Sequence, residues 1–171
     1  FTASPLGLVA AQTASGTVGV NADVAIPITI AAGTTLARFS LFNADSTPGA
    51  DLDLEIYNSA GTLVGASGGG TTDEEVNLVD PPAGNYVVHV LGFATPTGAP
   101  SPFKLYAWTV GSTSAGNMTV TPNPTTGTIG GTGTIGLTFN GLAPATRYLG
   151  TVVYGGAAAG APATAVRIDT P

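Results

Sequence analysis

The sequence predicts an all-β chain of two modules, a two-sheet sandwich closed by jelly-roll or Greek-key connections and then a smaller β-sandwich. Three observations predict it. Apolar and polar residues alternate in run after run, most cleanly in Asp51-Leu52-Asp53-Leu54-Glu55-Ile56-Tyr57, where Leu52, Leu54 and Ile56 share one face of a strand and Asp51, Asp53 and Glu55 the other. Glycine (25) and proline (13) are frequent among the 171 residues and fall between those runs, where tight turns need them. About eight such runs precede residue 110 and nothing between them reads as a helix, which is the pattern of a sandwich.

Taken in order, Leu6, Leu8 and Val9 suggest a short strand or ordered tether within Phe1 to Gln12, with Pro5 at its edge. Thr17 to Val20 and Ala25 to Ile30 read as strands parted by Asn21-Ala22-Asp23. Ala32-Gly33-Thr34 turns the chain into Leu36 to Phe42, and Asn43 to Gly49 is a polar loop. After the run at 51–57, Asn58-Ser59-Ala60-Gly61 supplies a hairpin turn and Thr62-Leu63-Val64 the returning strand. Gly68 to Gly70 forms a tip, Val76 and Leu78 alternate, Pro81-Pro82-Ala83-Gly84 turns, and Tyr86-Val87-Val88-His89-Val90 is the next strong strand. Ala94 to Pro102 reads as a loop, and Phe103 to Val110 as the last strand of the first module.

The small, polar run Gly111 to Gly116 has the composition of a flexible joint. The expected organisation is therefore a sandwich at 1–110 with its core at 16–110, a linker at 111–116 and a small β domain at 117–171. In that domain Met118 to Thr121, Thr134 to Phe139, Arg147 to Tyr154 and Thr164 to Ile168 are strand-like, divided by Pro122-Asn123-Pro124, Gly130-Gly131 and the run Gly155 to Gly160. Leu142-Ala143-Pro144-Ala145-Thr146-Arg147-Tyr148 carries the sharpest local signal. In immunoglobulin-like sandwiches a tyrosine near the start of the penultimate strand returns its hydroxyl to backbone a few residues upstream, and Leu-x-Pro-x-Thr-x-Tyr resembles the fibronectin III form of that corner. The second module is accordingly expected to be a small immunoglobulin/fibronectin III-like sandwich. Its roughly 55 residues fall well short of the ~100 of a complete one, so one sheet should be incomplete.

Composition excludes several classes of function. Charged residues make up only 8% against 43% hydrophobic, and the formal charge of −6 comes with four scattered cations, Arg38, Lys104, Arg147 and Arg167. Nucleic acids and anionic membranes both recruit clustered Lys and Arg, so neither is an expected partner. The absence of cysteine removes thiol chemistry, thiolate metal sites and disulfides. No apolar run is long enough for a transmembrane helix, and Phe1-Thr2-Ala3-Ser4-Pro5 lacks the basic start of a signal peptide, so the chain is expected to be part of a longer protein.

A family resemblance enters through the organising stretch. The order Asp51-x-Asp53-Leu54-x-Ile56-Tyr57, then Gly61, Leu63-Val64, the acidic pair Glu74-Glu75 and Pro82-Ala83-Gly84-x-Tyr86-x-Val88-x-Val90 resembles the bacterial pre-peptidase C-terminal domain over roughly Gly16 to Val110. That domain is a jelly-roll-like sandwich appended to secreted peptidases. The second module is similar to the small β domains that follow it in subtilisin-like serine peptidases. The resemblance implies a noncatalytic accessory role outside the cell: binding or orienting protein substrate for its own catalytic domain, assisting secretion or maturation, or stabilising the parent enzyme. The alternative is a structural spacer or adhesion module of a cell-surface protein, carbohydrate binding included.

The residues themselves offer three candidates for chemistry. Catalysis has little to stand on, because His89 is the only histidine and no Gly-x-Ser-x-Gly elbow or subtilisin-type Gly-Thr-Ser-x-x-x-Pro motif accompanies it. His89 is expected on a surface or interface. For metal, Asp51 and Asp53 on one strand face are the candidate calcium ligands, with Asp45, Asp73, Glu74 or Glu75 from nearby loops as possible partners. The other reading is a solvated acidic face. The ligand-bearing acidic linker of the calcium-stabilised clostridial collagen-binding domains related to this family has no counterpart in Phe1 to Gly16, which contains no Asp or Glu. The third candidate is aromatic: Phe103, Leu105 and Ala107 face inward, which sends Tyr106 and Trp108 outward. If that strand neighbours Tyr86 to Val90, then Tyr106, Trp108, His89 and Phe93 form one outer patch, either a seat for the small domain or a docking surface for an extended protein substrate.

Overall fold

The structure is a computed structural model and describes residues 2–121, 126, 132–156 and 160–171. The turns expected at Pro122-Asn123-Pro124 and Gly130-Gly131, and residues 157–159 of the run Gly155 to Gly160, lie outside the described residues. Thirteen strands are present among the described residues, with one 3-10 turn at Asn43–Asp45. They fall into two compact units, Gln12–Thr109 and the combination of Phe1–Ala11 with Val110–Pro171. No helix among the described residues is long and apolar enough to cross a membrane.

The larger unit contains β2 (Gln12–Val18), β3 (Asp23–Ile30), β4 (Thr34–Leu41), β5 (Asp51–Tyr57), β6 (Leu63–Ser67), β7 (Glu74–Val79), β8 (Gly84–Ala94) and β9 (Ser101–Gly111). One sheet has the order β2-β9-β4-β7 and the other β3-β8-β5-β6. The antiparallel partners β2 with β9, β3 with β8, β4 with β7 and β5 with β6 nest inside one another. A long folded ribbon rolled over itself gives this order, and it is the jelly roll. Period-two alternation explains why it closes. Leu52, Leu54 and Ile56 of β5 and Val88 and Val90 of β8 are fully buried, and they meet Phe39, Leu41, Phe103 and Leu105 of the opposite sheet in a single apolar core. Burying each such side chain stabilises the fold by roughly 1.5–3 kcal/mol. Tyr86 is buried as well and donates its hydroxyl hydrogen to the Pro82 carbonyl at 2.8 Å, which pins the turn before β8.

The smaller unit is built from β1 (Thr2–Ala10), β10 (Met118–Val120), β11 (Leu137–Phe139), β12 (Arg147–Gly155) and β13 (Thr164–Asp169). Its sheets are β1-β12-β13 and β10-β11, around Leu8, Met118 and Tyr148 with Leu137, Phe139, Val166 and Ile168 against them. The tyrosine corner is present: the Tyr148 hydroxyl accepts from the Ala143 N–H at 2.9 Å.

Two expectations of organisation change. Residues 1–11 belong with the small unit and not with the sandwich, because β1 pairs antiparallel with β12 from Thr2↔Gly155 to Ala10↔Tyr148 and so supplies the strand that a module starting at residue 117 would lack. The segment at 111–116 is also no free joint. Gly7 N–H donates to the Thr113 carbonyl at 3.2 Å, Ala115 N–H donates to the Gly7 carbonyl at 2.8 Å, and the Asn117 side-chain amide both accepts from Leu8 N–H (2.7 Å) and donates to its carbonyl (3.1 Å).

Candidate functional site

The outer face of the β3-β8-β5-β6 sheet carries an open groove of about 780 Å³. Its residues follow from strand parity and register. On β8 the residues that alternate with the core are Val87, His89 and Leu91, all half-buried. On one side Glu55 and Tyr57 of β5 pair with His89 and Val87; on the other Ala25 and Asp23 of β3 pair with His89 and Leu91. The small Ala25 leaves room beside the imidazole, and the turn residues Asn58, Ser59 and Gly61 close one end, with Asn85 alongside.

The polar groups of the groove are held in place by one another. His89 Nδ1 lies 2.5 Å from Asp23 Oδ2, with their side chains 26% and 50% exposed. The Tyr57 hydroxyl donates to Glu55 Oε2 at 2.7 Å, and the Tyr57 and His89 rings meet edge to face at 5.2 Å. The Tyr57 hydroxyl is held in its neutral form above the usual phenol range, chiefly by that hydrogen bond to the Glu55 carboxylate. Asn58 Oδ1 accepts from the N–H groups of Ala60 and Thr62, both at 3.0 Å, which stiffens the turn, and Asn85 Oδ1 accepts from the Thr29 hydroxyl at 3.1 Å. A carboxylate on Nδ1 fixes the ring orientation of His89, and no hydrogen bond to Nε2 is present among the described residues. Ser59 lines the same groove, yet among the described residues no hydroxyl hydrogen-bonds to the imidazole. The arrangement has the imidazole and orienting carboxylate of a triad, and no hydroxyl of the described residues is seated on the ring.

The expected aromatic patch does not assemble. β8 and β9 lie in different sheets, so His89 and Phe93 are on the outer face of one and Tyr106 and Trp108 belong to the other. Phe93 is 68% exposed near the end of β8, outside the groove. Tyr106 and Trp108 are 7% and 1% exposed. Tyr106 stacks on Trp108 at 6.0 Å and meets Phe42 edge to face at 5.3 Å, with the Lys104 ammonium 5.2 Å from its ring centre. Outward parity along β9 was legible, but outward does not mean wet.

The acidic face also differs from expectation. A register shift between Asp51 and Leu52 lifts Asp51 out of the alternation, and it is only 9% exposed. Asp51 Oδ1 and Asp53 Oδ1 are both out of solvent and without a hydrogen-bond partner. Of the loop acids that could complete a calcium shell, Asp73, Glu74 and Glu75 are engaged elsewhere, whereas Asp45 Oδ2 is buried without a hydrogen-bond partner among the described residues. Asp73 accepts from the backbone and side-chain N–H groups of Asn43 at 2.8 and 2.6 Å; Glu74 accepts from Gly69 N–H at 2.6 Å and from the Ser67 hydroxyl; Glu75 pairs with Arg38 at 3.1 Å. Among the described residues no group of three or more His, Asp and Glu side chains is placed to hold a metal ion. Asp51 and Asp53 are therefore a desolvated like-charge pair and not a solvated face.

Desolvation, followed by the charges of Asp51, Glu74 and Glu55, pushes the Asp53 carboxyl above the usual carboxylate range. The folded state then binds the proton more tightly than the unfolded one. Stability from this group is full below the unfolded pKa of 3.8, falls as pH rises toward the raised folded value, and stays reduced above it. Asp53→Asn should accordingly raise the melting temperature at pH 7 by an amount worth under about 1 kcal/mol after solvent screening, and the gain should vanish below pH ~3.5. Thermal melts of both proteins across that pH range, with chelator present, check it; a lower melting temperature for the variant at pH 7 would contradict it.

Compared with known proteins, the chain matches no family model and no curated protein. Residues that sequence reading did not gather are Asp23, read as part of a turn, together with Tyr57, Asn58 and Asn85. The available signal was parity: Val87 and Leu91 share the face of His89.

Proposed function

We propose that the chain is a noncatalytic accessory segment of an extracellular subtilisin-like serine endopeptidase, and that its larger unit binds or orients polypeptide substrate for the catalytic domain. The observation that carries this reading is the groove itself. It is open to solvent and lined by the apolar Val87 and Leu91 together with the hydrogen-bonding groups of Asp23, Glu55, Asn58, Asn85 and His89, a mixture that suits the side chains and backbone of an extended chain. The resemblance of 16–110 to the pre-peptidase C-terminal domain supplies the parent enzyme. Recognition of a saccharide is the second reading, favoured by the same mixture of carboxylates, amides and an aromatic ring on a sandwich face.

The reading frame encoding the chain is expected to encode a subtilisin-type Asp, His and Ser set. Removing the segment from that enzyme should lower kcat/KM on a protein substrate about tenfold through lost effective concentration, with kcat/KM on a short chromogenic peptide unchanged. Equal loss on both substrates would refute the role in substrate binding.

A further inference from the structure

We propose that the groove selects a lysine or arginine side chain of an extended polypeptide. This deepens the accessory reading, on which it rests. The argument begins from what the groove contains and what it lacks. Asp23 and Glu55 stand on opposite walls, one on β3 and one on β5, with the β8 residues between them. Lysine and arginine are absent from the lining, and its one basic group, His89, is held on Asp23. Each carboxylate uses one oxygen internally, Oδ2 of Asp23 on His89 and Oε2 of Glu55 on Tyr57, so Oδ1 and Oε1 remain for a ligand.

Lysine and arginine are the side chains that match such a lining at both ends. Their methylene stems cover apolar surface while the charged head stays at the polar edge. Here Val87 and Leu91 form the apolar floor and the two carboxylates the edge. The Tyr57 ring, whose hydroxyl is committed to Glu55, adds an aromatic surface on which a cation is attracted to the π face. Donors for the ligand backbone are at hand too. Asn58 and Asn85 spend their side-chain oxygens on Ala60, Thr62 and Thr29, which leaves both NH2 groups without a partner among the described residues. An acidic side chain would meet two like charges and no lysine or arginine, so the groove discriminates by repulsion as well as attraction.

The test uses the 171-residue chain and three labelled nonapeptides of Gly, Ser and Thr that differ only at the centre, lysine, norleucine or glutamate. Fluorescence anisotropy should show the lysine peptide binding about tenfold more tightly than norleucine, as expected for one charge-assisted contact, and glutamate weaker again. Glu55→Gln and Asp23→Asn keep the internal hydrogen bonds to Tyr57 and His89 while removing the charge, and each should weaken the lysine peptide about threefold to tenfold with an unchanged melting temperature. Lysine-peptide binding should also shift the NMR signals of the single imidazole. Equal affinity for lysine and norleucine would overturn the proposal while leaving substrate binding standing. So would peptide binding that neither variant disturbs. Binding of an oligosaccharide with no peptide binding would overturn both.

Discussion

Replacing Trp108 by alanine is expected to lower the stability of the folded chain by about 3–5 kcal/mol, the range for removing a fully buried large aromatic side chain. Trp108 is 1% exposed and stacks on Tyr106, which in turn meets Phe42, so truncation removes a member of an aromatic row and leaves a void beside Tyr106. Natural domains have only about 5–15 kcal/mol in total, and for a unit the length of the larger one each kcal/mol is worth roughly 4–8 °C in melting temperature. Calorimetry on the variant checks this. Peptide binding measured well below its new melting point should be unchanged, because neither Tyr106 nor Trp108 lines the groove. A variant with native stability and lost binding would reinstate these two residues as a docking surface.

Gly92→Ala is expected to cost about 3 kcal/mol and to weaken the groove as well. A β-carbon on residue 92 would lie 2.0 Å from the Gly19 carbonyl oxygen and 2.8 Å from its carbon, both backbone atoms. The two segments are tied at that distance: Asn21 N–H donates to the Gly92 carbonyl at 2.8 Å and Gly92 N–H to the Ala22 carbonyl at 2.9 Å. Relief requires the turn at 19–22 to move away, and Asp23 opens β3 immediately after it. The variant should therefore show a lower denaturant midpoint together with a disturbed imidazole signal, since Asp23 would no longer meet His89 on the same terms. An unchanged midpoint and imidazole signal would mean that the turn yields without cost.

Position 92 illustrates what local sequence could not convey. Nothing around it distinguishes a glycine required by a neighbouring backbone from one that merely weakens a strand; the constraint arrives from the turn at 19–22. The alternation at 51–57 was different, since parity alone put Leu52, Leu54 and Ile56 in the core and Glu55 on the opposite face. Tyr148 was legible for a similar reason, because its partner Ala143 is five residues away. The aromatic patch was conditional on β8 and β9 being neighbours, the commoner outcome for strands adjacent in the chain, but jelly-roll closure sends these two to opposite sheets. Asp23 and Glu55 reach one groove only through the pairing of β8 with both β3 and β5, so no motif in either strand announces the site. Asp51 escaped for a smaller reason, a register shift that no alternation rule encodes.

The placement of β1 has a consequence for how the molecule is made. Its pairing partner β12 emerges from the ribosome long after it, with the whole larger unit translated in between. Vectorial synthesis therefore lets the jelly roll complete first, since all eight of its strands are already in hand, while β1 stays an open edge until the chain is nearly finished. A shortened product beginning at residue 117 would carry the same exposed edge permanently, on β12, and edges of that kind recruit other chains.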